Sequence, residues 1–170
     1  MPSLQAVTDL MEIAARTAPK SAGQDFVVVK VIQGEDLKHL SDAMIQYGQK
    51  TGKKNFDRDA RNVAASAAVV FIGLKDATSL DLNCGACGVD FCNDRKPAEH
   101  GEFVGAQCSL RVLDMGIALG SAVKTASMLN VDNRIMYRAG VVARQIGPVD
   151  ADFVMGIPLS VTGKSIYFDR

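Results

Sequence analysis

All four cysteines of the 170-residue chain fall within residues 83–108, as Cys84, Cys87, Cys92 and Cys108 in the spacing C-x2-C-x4-C-x15-C. No other feature constrains the chain as much, because soft sulfur ligands gathered in one short stretch are what a metal ion or metal cluster demands. Two residues between Cys84 and Cys87 let a tight turn aim both sulfurs at one centre. Gly85 and Gly88 are free to make that turn, and without side chains they let amide N–H groups approach the sulfurs as donors. Cys92 adds a third ligand from the same loop, and Cys108 closes the set from the start of the next helix. The expected arrangement is a four-thiolate cage.

Other uses of the cysteines are open. Disulfides need an oxidising compartment, which nothing in the sequence indicates. Zinc takes four thiolates in a tetrahedron equally well, although its commoner pattern pairs two C-x2-C knuckles and this chain has one. Free buried cysteines are the third alternative, and their gathering in one loop speaks against it. His100, inside the x15 spacer, has the chemistry to replace a cysteine, but an exposed loop histidine is the plainer reading.

The run Cys84-Gly85-Ala86-Cys87-Gly88, followed by Cys92 and a distant Cys108, resembles the 4Fe–4S domain of corrinoid iron–sulfur proteins and of electron-transport complex subunits. The resemblance covers this stretch only, with Ser109 where that family usually has proline. It implies that all four cysteines bind one 4Fe–4S cluster, while the thiolate chemistry itself keeps zinc as the alternative occupant.

Around the loop the chain reads as one domain, residues 1–170, long enough to bury a core without disulfides. Nineteen basic and nineteen acidic residues cancel, which removes the electrostatic case for a nucleic-acid or anionic-membrane partner. The first sixteen residues carry Asp9 and Glu12 and no continuous apolar run, unlike a secretory signal. The least polar stretch, residues 115–123, is too short to span a bilayer. A soluble, cytoplasmic protein is expected.

Apolar periodicity predicts helices over residues 4–15, 35–50, 56–66, 107–130 and 134–146, and strands over 26–32, 67–74 and 152–161, with a last extended piece at 165–168. The continuous β-branched run after Phe26 suits a strand covered on both faces. The basic group Lys50, Lys53 and Lys54 reads as a solvated loop. Arg111 and Asp114, three apart on the long helix, are expected to pair. The order of elements gives an α+β (mixed α/β) helix–sheet sandwich with the cysteine loop inserted in it.

The segment Ala14-Ala15-Arg16-Thr17-Ala18-Pro19-Lys20-Ser21, the long helix and the later Gly156-Ile157-Pro158 resemble the nitroreductase family. The whole chain also resembles a group of uncharacterised ferredoxin-domain proteins, which share the Cys-Gly-x-Cys-Gly loop and the ending that runs from Gly163 to Arg170. The nitroreductase resemblance implies a homodimer with FMN at the subunit interface, hence a flavin-dependent oxidoreductase. That family's Arg-x-Ser for the FMN phosphate is absent here, which leaves Arg16, Lys20, Ser21, Lys164 and Arg170 as candidates to meet the phosphate. Together the two resemblances imply a redox protein that exchanges electrons with a donor or acceptor.

Overall fold

The computed structural model describes residues 3–168. In chain order the elements are α1 (Gln5–Thr17), β1 (Val27–Gln33), α2 (Glu35–Thr51), α3 (Phe56–Ala64), β2 (Ala68–Leu74), β3 (Ala98–His100), β4 (Phe103–Gly105), α4 (Ser109–Met128), β5 (Asp132–Asn133), α5 (Tyr137–Ile146) and β6 (Phe153–Ser160). Four strands make an antiparallel sheet in the order β1-β2-β6-β5, and β3 and β4 form a separate hairpin.

The sheet is covered on both faces, and this explains why its central strand does not alternate apolar with polar. Every residue of β2 is buried. Successive side chains point to opposite faces, so Ala68, Val70, Ile72 and Leu74 pack with Met11, Ala15, Met115, Ala118 and Ala122 of α1 and α4. Val69 and Phe71 face the opposite layer, with Leu40, Met44, Phe56, Val63, Ala139 and Val142 of α2, α3 and α5. The result is a helix–sheet–helix sandwich of mixed α and β structure, as the sequence order implies.

α5 lies directly on the backbone of β6. A Cβ built on Gly140 would stand 2.1 Å from the Val154 carbonyl oxygen, so the close approach depends on the missing side chain.

Three differences from the sequence reading have physical causes. The helix expected from residue 134 begins at Tyr137, because Asp132 and Asn133 pair with Ser160 and Leu159, and Met136 bridges to Gly156 at the sheet edge. Residues 165–168 make no strand: the Tyr167 ring is buried with its hydroxyl 2.8 Å from Ser66 Oγ, and the Ile166 N–H donates to the Asp132 carboxylate at 3.1 Å. Side-chain anchors take the place of a backbone ladder there. The β3–β4 hairpin inside the cysteine loop has no counterpart in the sequence reading, its strands being three residues each.

Gly140→Ala is expected to lower stability by about 1–3 kcal/mol, the usual cost of overpacking, read as a lower denaturation midpoint. An unchanged midpoint would show that α5 can lift off β6 freely.

Candidate metal centre

The cysteine loop leaves the sheet after Leu74 and returns at Cys108, immediately before α4. All four cysteines are free thiols: Cys84 is exposed, Cys87 and Cys92 are half-buried and Cys108 is buried. The first two are joined by a turn in which the Gly88 N–H donates to the Gly85 carbonyl at 2.9 Å. Both glycines have positive φ, +70° and +89°, a conformation that costs other residues energy.

Two further hydrogen bonds draw the cysteine-bearing segments together. The Cys92 N–H donates to Asn83 Oδ1 at 2.8 Å, next to Cys84, and Ser109 Oγ donates to the Ala86 carbonyl at 2.8 Å, linking the residue after Cys108 to the residue before Cys87. Cys108 also stands at the N-terminal end of the 20-residue α4, where the helix presents partial positive charge. Among the described residues, however, no group of three or more His, Cys, Asp or Glu is gathered closely enough to hold a metal ion. The structure thus brings the segments together without bringing the sulfurs to one point. The chemistry of the donor set, four unpaired thiols beside two glycines without side chains, fits a four-thiolate metal or cluster. His100 is exposed on β3.

The returning limb of the loop is fastened to the sandwich by its hairpin. Arg144 of α5 donates to both carboxylate oxygens of Glu99, at 2.6 and 2.7 Å, and to the carbonyl of Ala151 at 2.7 Å. Glu102 at the hairpin tip accepts from Tyr47 Oη at 2.8 Å and pairs with Lys53 at 2.6 Å, so one member of the basic group serves as an anchor. The Phe103 ring packs edge-on against Phe153 and Tyr137, with centroids 4.7 and 5.9 Å away. Asp152 holds both limbs: its carboxylate accepts the Asp76 N–H at 2.7 Å and its carbonyl accepts the Val104 N–H at 3.0 Å.

The loop's other foundation is Arg111, fully buried on α4. Its guanidinium donates to the carbonyls of Thr78 and Ser21 at 3.0 and 2.9 Å, to the Gln24 side chain and to Asp114 at 3.3 Å, and it lies 4.7 Å from the Phe26 ring centroid. The expected Arg111–Asp114 pair is present, and it also ties the first residues of the cysteine loop to the segment after α1.

The flavin candidates fall into separate places. Arg16, Lys20 and Ser21 lie near one another at the C-terminal end of α1, and each already bonds within the protein. Lys20 Nζ donates to the carbonyls of Ala15, Arg16 and Ala18 at 2.8–3.0 Å, Arg16 donates to the Val27 carbonyl, and both pair with Asp25. The N–H and hydroxyl of Ser21 both donate to Asp114. Lys164 lines a polar cleft of about 450 Å³ with Ser127, Asn130, Asn133 and Thr162. Ser127 is 13 residues along α4 from Asp114, about 20 Å at 1.5 Å per residue, so Lys164 belongs to the far end of that helix. Arg170 lies outside the described residues.

Sequence reasoning did not find Arg144, Glu99, Glu102 or Tyr47. Their positions carry no spacing signal, and only the folded chain brings α5 and α2 to the hairpin.

The Arg144 guanidinium beside Glu99 holds that carboxyl below its ordinary value of 4.5. A depressed carboxylate stabilises above the unfolded value and loses that contribution as pH falls through the folded one. The hairpin's hold should therefore weaken below pH 4.5, seen as lower amide protection factors in β3 and β4, each rate being taken relative to the unstructured chain at the same pH. Glu99→Gln should exchange faster at neutral pH and show less change on acidification. Identical exchange in the two proteins at neutral pH would remove this pair as an anchor.

Residues 104–170 match a family described as "Uncharacterized protein containing a ferredoxin domain" (DUF2148). An uncharacterized protein from Archaeoglobus fulgidus is 47% identical over 163 residues, covering 95% of this chain and 88% of that one. Among solved structures, the hypothetical oxidoreductase YcnD from Bacillus subtilis aligns with TM-score 0.61 at 14% identity over 97% of this chain; the chain spans 60% of its length. A nitroreductase with bound FMN from Desulfitobacterium hafniense aligns with TM-score 0.59 at 13% identity, over 96% of this chain and 80% of that one. The FMN-dependent nitroreductase NfnB from Mycobacterium smegmatis, solved with NADPH, gives 0.59 at 12% identity, over 96% and 79%. The fold is nitroreductase-like. Among the described residues no helix is long and apolar enough to cross a membrane.

Proposed function

The chain belongs to the family of uncharacterized proteins containing a ferredoxin domain, and from that premise we propose that it is a cytoplasmic redox protein whose Cys84, Cys87, Cys92 and Cys108 hold a 4Fe–4S cluster. The observation that carries the reading is the set of four free thiols on segments that hydrogen-bond to one another. Such a cluster, when bound, takes up and releases electrons singly. The chain supplies thiolates, glycine amides that can approach them and the N-terminal end of α4. Structural zinc is the second reading, because four thiolates suit it equally. It would make the protein an interaction module without redox activity.

A homodimer accompanies the reading. Leu10 and Ile13 on α1 and Leu113 and Ile117 on α4 are exposed, and α1 packs against α4. Gly116 and Gly120 share that exposed helix face, and a Cβ on either would meet nothing within 4 Å. Glycine in a helix costs about 1 kcal/mol relative to alanine, and none of the described residues packs where the Cβ of either would stand. Close approach of a second subunit would use them. We expect a C2 dimer burying more than roughly 2,000 Å² in total.

The enzyme form of the proposal adds FMN, which the names of the D. hafniense and M. smegmatis neighbours record for those proteins. A flavin phosphate needs donors and positive charge. In this chain Arg16, Lys20 and Ser21 would have to exchange internal partners for it.

Protein reconstituted anaerobically with iron and sulfide should retain roughly four of each per chain. Cys87→Ser should abolish uptake by removing one sulfur of the C-x2-C pair, and Cys108→Ser should leave a labile centre. Retention of about one zinc with no iron or sulfide would replace the cluster by the structural-zinc reading. FMN titrated into the same protein should lose fluorescence at tens of micromolar if the enzyme form holds; unquenched flavin leaves a cluster carrier.

Light scattering at micromolar concentration should give a dimer, and Gly116→Leu should shift it toward monomer. A monomeric wild-type mass would reject the dimer.

A further inference from the structure

Resting on the four-cysteine reading, we infer that Arg95 is a positioning residue whose charge sets the reduction potential of the centre held by the loop. Arg95 lies between the third and fourth cysteines, directly after the short helical turn Cys92–Asp94, and its N–H donates to the Cys92 carbonyl at 3.2 Å. Its guanidinium donates to the Ala106 carbonyl at 2.9 Å and to the Ala77 carbonyl at 3.2 Å. It therefore ties the outgoing limb of the loop to the returning limb two residues before Cys108.

What remains of the side chain is unsatisfied. Arg95 Nε is buried and has no hydrogen-bond partner. Arg111, Arg138 and Arg144 each face a carboxylate, whereas among the described residues no carboxylate stands within ion-pair distance of Arg95. Backbone carbonyls orient a guanidinium without neutralising it, and a buried donor left unpaired carries the full cost of its desolvation. An anionic partner in the loop would relieve both conditions, and four thiolates with bridging sulfide are anionic. A guanidinium carries a positive charge. Its field favours whichever state of a neighbouring centre carries more negative charge, which is the reduced one, so its presence raises the potential.

A purely structural tie would hold the limbs together and leave the potential alone, so the potential is the deciding measurement. Wild type, Arg95→Gln and Arg95→Lys are reconstituted anaerobically, analysed for iron and sulfide, and titrated potentiometrically. The expected result is that Arg95→Gln still takes up the centre and that its one-electron equilibrium shifts about tenfold toward the oxidised form, about 59 mV lower. Arg95→Lys, keeping the charge, stays near wild type. A wild-type potential in Arg95→Gln overturns the inference and leaves Arg95 a tie between limbs. If Arg95→Gln takes up no iron, Arg95→Lys decides: a retained potential supports the role of charge, and a lowered one overturns it. Loss of uptake in both variants makes Arg95 an assembly residue and overturns the inference as well. Wild-type protein that retains neither iron nor sulfide is the separate failure of the cluster reading.

Discussion

The buried guanidinium of Arg111 is the contact on which the arrangement around the cysteine loop depends. It brings together α4, the turn after α1 and the start of the loop at Thr78, three segments that are far apart in sequence. A buried charge is tolerated only when it is paired and its donors are satisfied, and here Asp114, Gln24 and two carbonyls meet that need. Asp114 in turn receives the N–H and hydroxyl of Ser21. The network makes the N-terminal end of α4, with Cys108 just before it, a fixed point rather than a frayed end.

From that point outward the loop is held at its margins. Asp152 takes one bond from each limb, Arg144 grips Glu99, and Glu102 reaches Tyr47 and Lys53 of α2 and the turn that follows it. The first three cysteines lie in the stretch between β2 and β3, with their own short turn but few ties to the body. The apolar face of α1 and α4 adds a second exposed surface, on which Gly116 and Gly120 leave open space.

The parts of the fold legible in the sequence were those set by a repeating pattern. β2 was recognisable because seven consecutive apolar residues fit a strand sandwiched between helix layers, and α2 because Leu37, Leu40 and Met44 recur at helical spacing. β5 and the β3–β4 hairpin were not legible, since two- and three-residue strands carry no period and form only where a partner edge is supplied. Residues 165–168 misled for the converse reason. An apolar, aromatic run predicts a strand by propensity, but Tyr167 found a buried seat beside Ser66 and the backbone was left without a ladder.

The sequence by itself determined the donor set. Four cysteines and two glycines at short spacing define which atoms are available and what chemistry they favour, because that information is local. It also carried the family, the helix–sheet composition and the pairing of Arg111 with Asp114 one helical turn apart. Only the tertiary structure decided what surrounds the donors. That Lys20 and Ser21 serve the end of α1 and Asp114, that Lys164 sits at the far end of α4, and that Arg95 bridges the two limbs of the loop with no carboxylate among the described residues beside it depend on contacts across tens of residues. No local spacing encodes these, because each is settled by which buried polar group finds its partner once the layers have packed.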